Sequence, residues 1–175
     1  AGKQGLSLTV PAVGDTFTVG SAMATFLSPA KAYDNINDLS LVVRIVYGDT
    51  SFLFTGDAEW DAEHDMVDAG LELSSTLLSV GHHGSNTSSS YVFLREVMPE
   101  YAVISVGKDN SYGHPSEDTL SRLRDVGALV YRTDLQGTII CVSDGHTLSL
   151  ETEKNVTADG LDMRTRVACG GGGIE

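Results

Sequence analysis

Apolar residues fall along this chain in short blocks, and the period of each block predicts an element. Residues 6–10 and 16–27 alternate as short strands around the turn Val13-Gly14-Asp15. The alternation is strongest from Leu39 to Tyr47. Leu39, Leu41, Val43, Ile45 and Tyr47 share one face, and Val42 and Val46 make the other face partly apolar, so this strand is expected to be well buried. Gly48-Asp49 turns the chain back, and 51–55 returns as the second arm of a hairpin. Residues 58–69 read as a helix stopped by Gly70. Residues 76–80 read as a strand, and 90–97 as a short helix begun by serines and closed before Pro99. Residues 102–106 form another strand. Pro115 opens a helix that carries Leu120, Leu123 and Val126 on one side and ends at Gly127. Strands at 129–132, 138–142 and 147–150 finish the pattern, the last two joined at Asp144-Gly145. Strand and helix alternate in the middle and hairpins close the ends. That predicts a layered α/β fold with a mixed sheet and flanking helices.

Beyond Lys154 the periodicity stops. Residues 1–153 are read as one domain and 154–175, ending in four glycines before Ile174-Glu175, as a flexible tail. A chain of 175 residues with 41% hydrophobic content is enough for one sizeable domain. No apolar run approaches a membrane span, so no transmembrane segment is expected here. The chain opens on Ala1-Gly2-Lys3 without a signal-peptide pattern, and a segment upstream of it is expected. The net charge of -13 opposes non-specific attraction to phosphate backbones. Any nucleic-acid substrate would need metal ions or a few placed cations. Cys141, in an apolar run, reads as a small core residue, and neither it nor Cys169 has metal-ligand spacing.

The chemistry sits where apolar runs end. Phe52-Leu53-Phe54-Thr55-Gly56 stops at Asp57, and Leu78-Ser79-Val80-Gly81 stops at His82-His83-Gly84-Ser85. Asp109, Asn110 and His114 follow the strand at 102–106. If these three strands run side by side in one direction, their polar ends gather at one sheet edge, where open α/β sheets bind ligands. Asp and His are metal ligands, and Gly56, Gly81 and Gly84 permit tight turns around them. Ser85-Asn86-Thr87-Ser88-Ser89-Ser90 can cap a helix or hold an anionic oxygen. Each residue also has a plain reading. Asp57 can cap the helix after it, His82 and His83 can be loop histidines, and His114 can merely precede a helix. His64 and His146 read as solvated. The clusters gain weight jointly.

These pieces, with Leu27-Ser28-Pro29, Asn37-Asp38-Leu39-Ser40-Leu41-Val42, Ile104-Ser105-Val106-Gly107-Lys108-Asp109-Asn110, Tyr112-Gly113-His114-Pro115 and Arg132-Thr133-Asp134 with Gly137, form a recognisable set. Over roughly residues 9–152 the chain resembles the metallo-β-lactamase superfamily, and within it the hydrolase domain of ComEC-type DNA-internalisation proteins. The resemblance implies an αββα sandwich with a divalent metal site, zinc or manganese, along one edge of its sheets. It implies Asp57 as a metal-binding or bridging carboxylate and His82 as a late histidine ligand. His83 would be a ligand or the partner that orients one. Ser85, Asn86, Thr87, Ser88, Asn110 and His114 would face the substrate, binding a phosphate or passing a proton to the leaving group.

The family's first metal motif, HxHxDH or HxDxDH, does not occur in this sequence. The chain therefore reads as the C-terminal portion of such a domain, with one or two metal ions in the complete domain and little or no activity alone. The uncovered apolar sheet face would meet the missing half of the domain or a second copy. The resemblance implies a phosphodiesterase or nuclease acting on DNA during uptake, at the outer face of the cytoplasmic membrane; a cytoplasmic place is the alternative. Two other readings compete: an interaction or regulatory module that kept the fold without metals, and a hydrolase of a small phosphoester or lactone.

Overall fold

The computed structural model describes Gly5 and residues 9–158. Seven strands form one sheet in chain order: β1 Thr16–Val19, β2 Ala22–Ser28, β3 Val42–Tyr47, β4 Thr50–Phe54, β5 Leu77–Ser79, β6 Tyr101–Ile104 and β7 Leu129–Arg132. The first three pairings are antiparallel. The next three are parallel. Their crossovers carry α1 Trp60–Asp68, α2 Tyr91–Val97 and α3 Glu117–Asp125, as parallel pairs require. After a single turn of helix, α4 Thr133–Gln136, strands β8 Ile139–Ser143 and β9 Leu148–Thr152 form a separate two-stranded sheet. The expected α/β class and mixed sheet with flanking helices are observed.

The register explains the core. Leu53, Leu78 and Ala102 lie side by side across β4, β5 and β6. All three are fully buried in one cluster with Ala62 and Met66 of α1, Phe93 and Leu94 of α2, and Leu123 of α3. The helices therefore cover this face. Leu53→Ala is expected to destabilise the fold by about 3 kcal/mol, because the strands around it cannot close the cavity. A urea titration checks this, with a lower midpoint and an unchanged slope.

The opposite face carries Phe17, Phe52, Phe54, Val103 and Leu129. Phe17, Phe54 and Leu129 stay exposed. The β8–β9 hairpin reaches only part of this face. Its Gly145 lies against the Tyr47 ring, the Ser143 hydroxyl bonds Thr50 Oγ1 at 2.7 Å, and Asp49 N donates to Gly145 O. Among the described residues, no helix is long and apolar enough to cross a membrane.

Several boundaries differ from the sequence expectation. The strand expected over 39–47 begins at Val42. Ile36–Leu39 is a 3₁₀ turn opened by the Asn35 side chain, which accepts from Asn37 N at 3.0 Å. Polar side chains here outcompete the ladder for the backbone. The stretch 16–27 is two strands, because Gly20, at φ 59°, turns the chain between them. Of the expected strand 6–10, Thr9 and Val10 are in no strand, and 6–8 lie outside the described residues. The helix after Asp57 starts at Trp60, and the one after Pro115 starts at Glu117. Cys141 is only partly buried, whereas Cys169 lies outside the described residues. Of the segment 154–175, residues 159–175 lie outside the described residues; before them, Lys154 N donates to Gln136 O and Ala158 is buried.

Candidate metal and phosphate site

Strands β4, β5 and β6 run parallel and adjacent, so their carboxyl ends open on one edge. Asp57 follows β4, His82 and His83 follow β5, and Asn110 and His114 follow β6. The expected convergence is present. His83 Nε2 lies 3.8 Å from Asp57 Oδ1. The His82 ring is 5.7 Å from the His114 ring, edge to face, and 6.4 Å from the His83 ring.

Local backbone explains the approach. His82 N donates to Gly56 O at 3.0 Å, tying the end of β5 to the turn that carries Asp57. Asp57 N donates to Ser40 Oγ. His82 and His83 both adopt the left-handed conformation, at φ 48° and 53°, which is uncommon outside glycine and recurs at functional sites. They are held there by their neighbours. A Cβ at Gly84 would stand 2.6 Å from Pro115 Cβ, so this glycine lets the His114 loop dock directly on the histidine turn. Ser116 N donates to Gly84 O and completes the docking.

The ring nitrogens have distinct surroundings. His83 Nδ1 donates to the Ser105 carbonyl at 2.6 Å, which sets Nε2 toward Asp57. His82 Nδ1 lies 2.9 Å from Glu59 Oε1 but without the alignment of a hydrogen bond. Glu59 is itself held by the side-chain amides of Asn35 and Asn37. An imidazole backed by a carboxylate or a carbonyl is the usual arrangement of a metal-ligating histidine. In kind, then, these nitrogens and the Asp57 carboxylate suit a divalent cation. In number they fall short, since among the described residues no three such groups are disposed around one point.

The plain readings divide. Asp57 does not cap α1. Buried Asp38 does so from a distance, accepting from Glu59 N at 2.9 Å and Ala62 N at 3.2 Å. Ser90 caps α2, as capping predicts, accepting from Phe93 N. The rest of the serine run is gripped from within. Ser88 is fully buried, and its hydroxyl donates to Gly81 O and Ser85 O. Glu63 accepts from Ser89 N and Ser90 N. Arg122 donates to the carbonyls of Asn86, Ser88 and Ser89. Ser85 is buried, so only Asn86 and Thr87 of this run stand open to solvent. The Asn110 side chain is spent on its own loop: its amide donates to Gly107 O and His114 O, and its oxygen accepts from Tyr112 N and His114 N.

The sequence offered Asp38 and Ser105 only as members of motifs, without a role, and did not single out Glu59, Glu63 or Arg122. Glu59 stands two residues from Asp57, a pairing the sequence does display. The others are linked to the site only by the fold.

Burial, then the neighbouring His82 and His83, hold the His114 imidazole below its ordinary value. His146 moves the other way, because Asp49 accepts from its ring nitrogen at 2.9 Å and favours the cation. In a proton NMR titration His114 is expected to change below, and His146 above, the ordinary midpoint of about 6.5. The signs for stability are opposite. The native state favours neutral His114, so its contribution is present above pH ~6.5 and is lost as pH falls through the folded value. The native state favours charged His146, so its contribution is present below that pH and is lost as pH rises through the folded value. Asp49→Asn should return His146 toward the ordinary midpoint and leave His114 unmoved.

Residues 13–108 match the family model described as Metallo-beta-lactamase superfamily. The chain belongs to the metallo-β-lactamase superfamily. It is similar to Competence protein ComA of Neisseria gonorrhoeae, 47% identical over 117 residues that cover 65% of this chain and 17% of that protein. It is also similar to ComE operon protein 3 of Bacillus subtilis (strain 168), 34% identical over 140 residues, 79% of this chain and 18% of that protein. Recombination protein 2 of Haemophilus influenzae is 36% identical over 103 residues, 59% of this chain and 13% of that protein. The chain thus spans less than a fifth of the length of these relatives.

Proposed function

We propose that this chain is part of a metal-dependent phosphodiester hydrolase that acts on DNA during its uptake. The observation that carries the reading is the meeting of Asp57, His82, His83 and His114 at the ends of three parallel strands. The family and the competence-protein relatives support the same direction.

A bound divalent cation, zinc or manganese, supplies Lewis acidity and charge neutralisation for a phosphodiester at such an edge. Asp57, His82 and His83 are the residues here that would hold it. The Ser105 carbonyl fixes the His83 imidazole with Nε2 toward Asp57, and the Glu59 carboxylate stands beside His82 Nδ1. His114, 5.7 Å from His82 between ring centres, stands beside the cation residues without being tied to a carboxylate. It is placed to hold a phosphate oxygen, or to pass a proton to the departing oxygen. Asn86 and Thr87, exposed in the loop that follows the histidine turn, would be the polar side chains available to a phosphate, with Ser85 and Ser88 shaping the loop from within. Asn110 fixes the turn that aims His114. Asp57, His82 and His83 do not surround one point here, whereas a catalytic zinc takes three protein ligands, so turnover is expected only in a longer protein that adds ligands.

The test uses such a protein, supplied with manganese and then zinc, and a single-stranded oligonucleotide. Asp57→Ala is expected to lower cleavage at least a hundredfold while leaving thermal unfolding near wild type. Equal cleavage by both proteins refutes the assignment. A non-catalytic interaction module remains the second reading, favoured by the shortfall of ligands among the described residues. If the longer protein takes up no metal by calorimetry, that reading replaces the first.

The half-open sheet face belongs to the same proposal. Phe17, Phe54 and Leu129 are exposed at separate places on this face, on β1, β4 and β7, and further chain lying across the sheet would cover them. The occupant is either further sequence of the same protein or a second copy. A strict monomer by light scattering at high concentration excludes the second copy. By the same reading the domain works outside the cytoplasmic membrane, which protease accessibility in intact cells would reveal.

A further inference from the structure

We propose that Tyr112 is a stacking platform for an unpaired nucleobase, and that it makes the site select strands with exposed bases. This deepens the phosphodiester reading and rests on it. Tyr112 is 82% exposed, the most exposed aromatic among the described residues. Leaving so much ring in water is unfavourable unless something covers it. Its ring lies nearly parallel to the His114 imidazole, with centroids 5.9 Å apart and 14° between planes. The phenol therefore lies beside the site, parallel to His114, with most of its surface open.

The platform is prepared in advance. Asn110 Oδ1 accepts from both Tyr112 N and His114 N, so a single side chain fixes the backbone beneath both rings. The Asn110 amide donates to Gly107 O and His114 O and closes the loop. Of the other exposed aromatics, Tyr91 donates to Asp125 at 2.6 Å, Phe17 and Phe54 lie on the open sheet face, and Trp60, at the start of α1, is 45% exposed against 82% for Tyr112.

Charge favours the same ligand. At -13 the protein gains little from general attraction to a phosphate backbone. Stacking on a ring needs no net charge, tolerates every base and is available only in an unpaired strand. A base resting on Tyr112 would bring its own phosphodiester toward His114 and the edge that holds Asp57. Affinity from stacking also predicts a shallow dependence on salt.

The experiment measures anisotropy of a short fluorescein-labelled thymidine strand, and of an abasic strand of equal length, with this chain in EDTA. Wild type is expected to prefer the base-bearing strand about tenfold, the size of one stacked base. Tyr112→Ala should abolish that preference, and Tyr112→Trp should keep it. The matched duplex should bind like the abasic strand. Equal binding of the two strands by wild type, or a preference that survives Tyr112→Ala, overturns the proposal. Manganese binding, measured separately by calorimetry on wild type and Asp57→Ala, tests the hydrolase reading alone, because the anisotropy is read without metal.

Discussion

Arg122→Met is expected to destabilise the fold by about 3–5 kcal/mol, among the largest effects of any single substitution in this chain. The reason lies in two consecutive peptide groups. The carbonyls of Ser88 and Ser89 accept from Arg122 at 3.0 and 2.8 Å. The N–H groups on the far side of the same peptides, those of Ser89 and Ser90, donate to Glu63. The two charges sit on opposite sides of one stretch of backbone, and each screens the other through it. Ser89 is held at φ 54° in the process. Removing the guanidinium strands three carbonyls and leaves a buried carboxylate without its cation.

Glu63→Met should act similarly by orphaning two N–H groups. The double substitution should cost less than the sum of the singles, because each single leaves a charge that the double removes. A denaturant series on the four proteins checks this, and full additivity would show that the two side chains act independently. Burial pushes the Glu63 carboxyl above its ordinary value, against the hydrogen bonds and Arg122, which pull it down. The folded state thus keeps this proton to higher pH than the unfolded chain. Its share of stability is full below the unfolded value, pH ~4.3, and is lost as pH rises through the folded one.

Gly84→Val is expected to separate the two halves of the site and to lower stability by more than about 2 kcal/mol. Gly84 sits at φ 81°, which a β-branched residue strongly resists. Its new Cβ would also meet Pro115 Cβ at 2.6 Å and Pro115 Cα at 3.1 Å. The neighbour is a ring and a backbone atom, so it cannot simply swing aside. The loop bearing His114 has to lift off the turn bearing His82. Imidazole resonances of His82 and His114 should both move, while those of His146, which sits in the β8–β9 hairpin, stay in place. A spectrum unchanged at His114 would show that the Gly84–Pro115 contact does not set the spacing.

Much of the candidate site was legible because its residues end apolar runs. Asp57 after Phe52-Leu53-Phe54 and His82-His83 after Leu77-Leu78-Ser79-Val80 are local patterns, and local patterns survive in a sequence. The residues that orient them were not legible. Glu59 reaches His82 across 23 positions of chain, and Glu63 reaches Ser89 across 26. Such pairs carry no spacing rule. Tyr112 was visible as a letter, but its exposure and its stack on His114 belong to the folded loop alone. Polar residues misled where they served the backbone. Ser88 looked like a phosphate binder and is an internal strut. Asp57 looked like a helix cap, and buried Asp38 holds that role instead.

The strands, the helices and their alternation along the chain follow from hydrophobic period and turn chemistry, which act over a few neighbouring residues, whereas the order of the strands in the sheet was supplied by the structure. What only the folded molecule decided is which side chains face one another: that the Ser105 carbonyl backs His83 Nδ1 and Glu59 stands beside His82 Nδ1, that the serine loop is clamped between Glu63 and Arg122, and that one sheet face stays half open. Those outcomes depend on parallel pairing. It joins residues distant in sequence and fixes their separation through contacts that exist only after the sheet has formed.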